Sequence, residues 1–350
     1  MRSALLLAVG ALFPIEILAQ EPSDRQGAVR EHAVVERVIV DAHVVRKDGN
    51  PIPDLTAADF SLKVDGKSVA LESAEWIPAG EPEADASELE AESPDGETRW
   101  DVELPPGRLI VMFFQTDYET SRILGLLRMA LQARRFLTTL LPTDRVAVAS
   151  YDSHLKLRQD FTADREKITR AINASLRMSR PPEPDPDSHP ALARHLDPAA
   201  ARRAATPERA LALLAQALQP IPGGKSMLFF GWGLGTVGGL DGPNRSEQKA
   251  WEAALRGMAA ARVNVFSLDV TDADYHSLGV YLERISELTG GRYEKTNIFP
   301  NLAMDRVGRA ISGRYVLVFA KPQAPRGFHS IEVALVNRKG RVYARRYYED

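Results

Sequence analysis

Apolar positions along the chain change rhythm twice. From Val34 to Trp76 they alternate with polar ones, as in VVERVIVDAHVV and FSLKVDGKSVAL, the period-two signature of half-buried strands. Asp65-Gly66 marks a hairpin turn, since both residues tolerate the left-handed backbone a tight turn needs. From Arg108 to about Ser312, apolar runs alternate with helix-length amphipathic segments. The expected strands are Leu109–Phe114, Arg145–Tyr151, His154–Asp160, Ser226–Phe230, Val263–Asp269 and Arg292–Lys295. The expected helices are Thr120–Leu141, Asp164–Leu176, Pro207–Leu218, Glu247–Ala261, Tyr275–Thr289 and Asn301–Ile311. Strands joined by helical crossovers form a mainly parallel sheet covered on both faces. Asp152-Ser153 is too short for a crossover, so His154–Asp160 is expected as an antiparallel edge strand. After Ser312 the alternation returns in Arg314–Ala320, His329–Asn337 and Arg341–Tyr348, with Lys339-Gly340 turning the last pair.

Neither flanking β segment has enough strands to bury a core or protect its edges. The two are therefore expected to complete one module. The predicted fold class is α/β: a doubly wound, mainly parallel sheet over residues 108–312, plus a small β-sandwich built from residues 34–77 and 313–350. Residues 78–107 form the connection. Their core, EPEADASELEAESPDGETRWDVE, is acidic and sparsely apolar, which suits a solvated linker. The C-terminal strands are rich in arginine, so a linker folded back over them is the alternative. Met178 to Ala205 interrupts the α/β unit as a long insertion. Its first part, RPPEPDPDSHP, excludes regular helix and inner strand.

The first residues, MRSALLLAVGALFPIEILAQ, read as an export signal over residues 1–19. Arg2 supplies the positive end, Ala4 to Phe13 the apolar region, and Ile17-Leu18-Ala19 a cleavage site before Gln20. The apolar stretch is short for a bilayer span and is broken by Pro14 and Glu16. An extracytoplasmic location, periplasmic or secreted, is expected. The sequence of 350 residues contains no cysteine, which excludes disulfides, thiolate metal sites, cysteine nucleophiles and lipid attachment at a cleavage-site cysteine. A formal net charge of −3 gives no reason to expect nucleic acid as a partner.

Several stretches carry a family likeness: DGNPIPDLTAADFSLKVDG, LPTDRVAVASYDSHLKLRQDFTADREKITRAI, and SGRYVLVFAKP followed by GFHSIEVALVNRKGRVYARRYY. With the order of modules, they make the chain resemble the VWFA-related (von Willebrand factor type A-like) proteins of the Acidobacterial type. The likeness covers nearly everything after the signal. It implies an A-like fold and, at the carboxyl ends of the strands, a metal-ion-dependent adhesion site. In such sites the first loop carries Asp-x-Ser-x-Ser, the second a Thr and the third an Asp. Here the first-loop register reads Gln115, Asp117 and Glu119, Thr206 stands in the second loop, and Trp232 stands where the third-loop carboxylate belongs. The resemblance is to a degenerate site.

The expected function is that of an exported, non-enzymatic, protein-binding or adhesion-type molecule acting without metal. Its partner-binding rim would comprise Gln115, Asp117, Tyr118, Glu119, Thr206, Trp232 and Asp269, with an aromatic anchor in place of a metal bridge. Plainer roles exist for several of them. Thr206 reads equally as a helix N-cap, Asp117 and Glu119 as charges favouring a helix N-terminus, and Trp232 as packed beneath the insertion. One alternative is divalent-metal-dependent adhesion, with Mg²⁺ or Ca²⁺ held by Asp117, Glu119, Ser121 and Thr206. The other is a hydrolase or other enzyme. For that reading the compact trio Asp152, Ser153 and His154 is set aside, because neighbours on a strand point to opposite faces. Asp269, Asp272 and Asp274 cluster at the end of a predicted strand, where a second metal is the alternative to the expected helix capping by Asp272 or Asp274. His189 and His195 share the insertion with Asp185, Asp187 and Asp197, a mixture able to bind zinc but expected as polar loop. Gly223–Ser226 precedes a strand and lacks phosphate-loop spacing.

Overall fold

The structure is a computed structural model. It describes residues 36–81, 107–183, 188–235, 245–273 and 276–350, which belong to one compact unit, Glu36–Asp350. The export segment and most of the acidic linker lie outside the described residues.

The central sheet contains β5 (Leu109–Gln115), β6 (Arg145–Tyr151), β7 (Leu155–Thr162), β8 (Lys225–Gly231), β9 (Val263–Asp269) and β10 (Tyr293–Lys295). Their order is β10-β9-β8-β5-β6-β7. All neighbours are parallel except β6 and β7, which pair antiparallel. This is the doubly wound, mainly parallel, A-like sheet expected from the sequence, antiparallel edge included. Every residue of β5 is buried because helices cover both faces. Its alternation divides the core. Leu109, Val111 and Phe113 enter one cluster with Leu211, Leu214 and Met258; Ile110, Met112 and Phe114 enter another with Leu126, Met129 and Val307.

One face carries α1 (Thr120–Phe136), α2 (Arg165–Ser175) and α7 (Pro300–Ala310); the other carries α4 (Pro207–Leu218), α5 (Arg245–Ala260) and α6 (Gly279–Thr289). Helix α1 is shorter than its amphipathic pattern suggests, and a 3₁₀ turn, Leu137–Thr139, finishes it. Helix α6 begins at Gly279 rather than at Tyr275, so Asp272 does not cap it. Asp274 falls outside the described residues. The second half of the insertion is not irregular: it contains a 3₁₀ turn, Leu192–Arg194, and the short helix α3 (Pro198–Arg203), capped by Asp197 through Ala199 N.

The remaining strands are β1 (Arg37–Val45), β2 (Phe60–Val64), β3 (Lys67–Val69), β4 (Ser73–Pro78), β11 (Gly313–Ala320), β12 (Phe328–Leu335), β13 (Arg341–Ala344) and β14 (Tyr347–Glu349). They form two four-stranded sheets, β13-β1-β11-β4 and β14-β12-β2-β3. Each sheet mixes strands from both ends of the sequence. Their shared core, including Val40, Val44, Leu62, Tyr315, Phe319 and Ile331, is the small sandwich predicted. One expectation fails. Arg341–Tyr348 is two strands in different sheets, and β12 pairs with β2 and β14 rather than with β13. The crossing occurs at Arg345-Arg346, where the Arg345 guanidinium donates to the carbonyls of Ile39 and Ala259 and Arg346 N donates to Leu288 O.

Strand β1 is buried on both faces, which explains its near-continuous apolar run. Val38, Val40, Ala42 and Val44 enter the sandwich core. On the opposite face, Asp41 meets Arg262 at 2.8 Å and Arg314 at 2.9 Å, and His43 lies edge-on against Phe266. A sandwich strand thus seals the lower end of the parallel sheet and leaves the opposite end, where β5, β8 and β9 finish, to the loops.

Candidate functional site

Strand β5 delivers Gln115 to the upper edge, fully buried. Its Nε2 donates to Gly233 O at 2.8 Å, and its Oε1 accepts from Trp232 N at 3.1 Å and Gly233 N at 3.2 Å. A Cβ on Gly231 would stand 2.7 Å from that Oε1, so glycine at the end of β8 lets the amide reach across. At the end of β5 the chain thus has a carboxamide that closes the Trp232 loop. Gln115 lies beneath the rim rather than on it.

Above it, the loop from Thr116 to Glu119 gathers two carboxylates around one cation. Arg122, in the first turn of α1, forms ion pairs with Asp117 and, at 3.1 Å, with Glu119. The same guanidinium carbon lies 3.9 Å from the centroid of the Trp232 ring, a cation–π distance. Partial burial pushes the Asp117 carboxyl up, but the N–H of Glu119 and the guanidinium of Arg122 outweigh it and hold it below the usual carboxylate range. Ser121 Oγ donates to Glu119 Oε1 at 2.9 Å. Asp117 and Glu119 from the loop and Ser121 from the first turn of α1 thus lie together, with both carboxylates engaged by Arg122. Thr206, the fourth residue of the metal alternative, caps α4 by accepting from Arg209 N at 3.3 Å. Among the described residues no cluster of three or more His, Asp or Glu is arranged to hold a metal. Arg122 was not singled out from the sequence. The readable signal was its spacing, three residues after Glu119 on a helix start, where side chains share a face.

Helix α1 reaches this position because Gly125 presses against β9. A Cβ there would lie 1.8 Å from Val270 O. The approach also lets Asp272 N donate to Ser121 O at 2.9 Å. Asp269, at the end of β9, is buried and spoken for: it accepts from His276 Nε2 at 2.8 Å, Tyr293 OH at 2.7 Å and Thr271 N at 3.0 Å. Burial and this bond to Asp269 push the Tyr293 hydroxyl well above its ordinary value. Asp269 thus fixes the segment that follows β9 and presents no free carboxylate.

Tyr118 is half exposed, and its hydroxyl donates to Leu176 O at 3.2 Å. Thr116 Oγ1 donates to Ser175 O at 2.6 Å. Arg158, fully buried on β7, donates to Ser150 Oγ, to the carbonyls of Arg177 and Ser179, and to Ser179 Oγ. Burial pushes this guanidinium below its ordinary value. The root of the insertion is thereby fastened to the rim loop. Trp232 itself is partly buried against Arg122 and the core on the α1 side, rather than beneath the insertion.

Asp152, Ser153 and His154 need a correction. They occupy the turn between β6 and β7, not a strand, and their side chains do meet: Ser153 Oγ is 3.1 Å from Asp152 Oδ1 and 3.0 Å from His154 Nδ1. The geometry still differs from a nucleophile–base–orienter chain. The carboxylate contacts the serine rather than the histidine, and Lys156 engages it. His189 is exposed and His195 ends the 3₁₀ turn; Asp185 and Asp187 lie outside the described residues. Lys225 spans from β8 to the carbonyls of Gly223 and Ala261, a strand-start clamp and no phosphate cradle.

No family model matches the chain, and no curated protein matches it. Among solved structures, it is similar to the PilB minor pilin from Streptococcus sanguinis at 11% identity and a TM-score of 0.40, covering 59% of this chain and 61% of that one. The chain thus spans about three-fifths of that pilin. It is also similar to a von Willebrand factor type A structure from Catenulispora acidiphila, at 10% identity, TM-score 0.39 and coverage of 86% and 76%. The vWF domain of the type V pili tip protein Mfa5 from Porphyromonas gingivalis aligns at 10% identity and TM-score 0.34, over 58% of this chain and 95% of that one. Likeness this remote carries no functional argument; the A-like description rests on strand order and helix placement.

Proposed function

We propose that the chain is an extracytoplasmic, non-enzymatic binding protein whose A-like unit offers its upper rim to another macromolecule without a divalent ion. The observation that carries the reading is the position of Arg122: its guanidinium bridges Asp117 and Glu119 and lies over Trp232. A site with a resident cation on its own carboxylates has little left to offer Mg²⁺ or Ca²⁺, which need about six oxygens. The contact surface is Tyr118, Glu119, Asp117 and the Trp232–Arg122 stack. Gln115 and Asp269 are buried beneath it as supports, and Thr206 caps α4. Aromatic and arginine side chains on a rigid base are the usual anchors of protein recognition.

A photoreactive side chain in place of Tyr118 tests this directly in cells that make the protein. The expected result is a crosslink to a discrete envelope component, retained in EDTA and lost with Trp232→Ala. A crosslink abolished by EDTA and by Asp117→Ala, yet intact in Trp232→Ala, would overturn the reading in favour of metal-dependent adhesion.

A further inference from the structure

Away from the rim, the outer face of α1 breaks the usual rule for a surface helix. Its inner face, with Leu126, Met129, Ala133 and Phe136, is buried in the core. Its outer face should then be polar, but Leu124, Leu127 and Leu131 point outward, 45%, 47% and 41% exposed. Their spacing of three and four residues is that of alternating a and d positions along a coiled-coil seam. In the same frame Arg128 and Arg135 fall on the flanking e positions, where charge selects the partner. Neither forms an ion pair among the described residues. The helix, TSRILGLLRMALQARRF, contains no aspartate or glutamate.

We propose that this face is a docking strip for a single amphipathic helix of a partner protein, leucine-rich along its seam and acidic along its flanks. The apolar contact would supply affinity, and the arginines would set the choice of flank by charge complementarity. The strip is short, roughly 10 Å between Leu124 and Leu131 at the helical rise, so it suits a regulated contact rather than an obligate one. Two other occupants fit the charges less well. A second copy of the chain would set Arg128 and Arg135 near their own counterparts. An anionic membrane is broad enough to meet the exposed carboxylates of Glu166 on α2 and Asp305 on α7, the two helices that pack beside α1, whereas a single helix laid along Leu124, Leu127 and Leu131 meets the arginines of α1 first.

The test uses the purified full chain and two labelled synthetic helices with the same leucine seam, one flanked by glutamate and one by lysine, followed by fluorescence anisotropy. The expected result is at least tenfold tighter binding of the glutamate-flanked helix, weakening as salt rises. Leu127→Asp should reduce that affinity tenfold or more, and Arg128→Glu with Arg135→Glu should reverse the preference. All three positions are exposed, so melting temperatures should stay at the parent value. If Leu127→Asp lowers the melt, Leu127→Gln replaces it. Equal affinity for both helices, no binding of either, or binding only to phosphatidylglycerol vesicles would overturn the proposal.

Discussion

Arg122 lies over the Trp232 ring, its guanidinium carbon 3.9 Å from the ring centroid, and this contact couples the first and third loops of the rim. The first loop holds the cation through Asp117 and Glu119; the third supplies the aromatic face. Gln115 joins the same loops from below through Trp232 N and Gly233. Charge and hydrogen bonds thus tie the two loops together from above and below.

Removing the cation should free the two carboxylates. In Arg122→Ser, Asp117 and Glu119 lose their counter-charge while Ser121 stays beside them in the first turn of α1. Calorimetry with Ca²⁺ is expected to detect weak binding, in the millimolar range typical of sparsely ligated sites, in the variant and none in the parent. The stack and its ion pairs should also cost about 1–2 kcal/mol of stability. Equal Ca²⁺ titrations for both proteins would show that the guanidinium does not stand in for a metal.

The contact of β1 with the α/β unit rests on Asp41. Its carboxylate, buried between Arg262 and Arg314, neutralises two guanidinium groups at once. Asp41→Ala is expected to destabilise the protein by about 3–5 kcal/mol, because breaking a buried pair leaves uncompensated charge. Urea denaturation measures it. A loss below about 1 kcal/mol would mean the arginines find water or other partners.

Two groups give stability a pH dependence at opposite ends. Burial pushes the Asp41 carboxyl up, but Arg262 and Arg314 outweigh it and hold it well below its ordinary value. Its contribution is complete above the unfolded carboxylate range, near pH ~4, and is lost as pH falls through the depressed folded value. His329 is raised by its hydrogen bond to Asp65 and by the nearby Asp350. Its contribution is complete below the unfolded histidine value of ~6.5 and is lost as pH rises through the folded value. The melting temperature should therefore fall between pH 6 and 8 in the parent, and by less in His329→Gln. An identical slope in the two proteins would remove His329 from the account.

What could be read in the sequence followed from periodicity. The buried run of β5 and the helix-length crossovers specify a parallel sheet, and too few strands at each end specify a shared sandwich. Arg341–Tyr348 misled because alternation continues through Arg345-Arg346, where the chain changes sheets. The crossing is marked by the Arg345 guanidinium on the carbonyls of Ile39 and Ala259 and by Arg346 N on Leu288 O. At the rim, residue types were legible but their partners were not. Gln115 and Asp269 point inward, Thr206 caps α4, and the cation comes from Arg122 on the following helix.

Shared strands make the sandwich sensitive to truncation. β11 pairs with both β1 and β4, and β12 pairs with β2. Deleting residues 314–350 is expected to abolish hydrogen-exchange protection across β1, β2 and β4, since strands without partners or a buried face are unstable. Protection persisting in β2 would show that the N-terminal hairpin holds on its own.

Gln115 provides the sharpest separation between support and contact. Gln115→Ala leaves the N–H groups of Trp232 and Gly233 and the carbonyl of Gly233 without their partner in a buried setting, at a cost of about 2–4 kcal/mol. The Trp232 loop should loosen, visible as a change in tryptophan fluorescence, and crosslinking through position 118 should weaken although Gln115 touches no partner. Gln115→Glu keeps an acceptor for the two N–H groups but sets a carboxylate against Gly233 O where Nε2 donated. It is therefore expected to lie between Ala and the parent in stability. A Gln115→Ala protein that melts with the parent and keeps its fluorescence would show that the loop holds its shape without the amide, and the assignment of Gln115 as the support of the rim would fail.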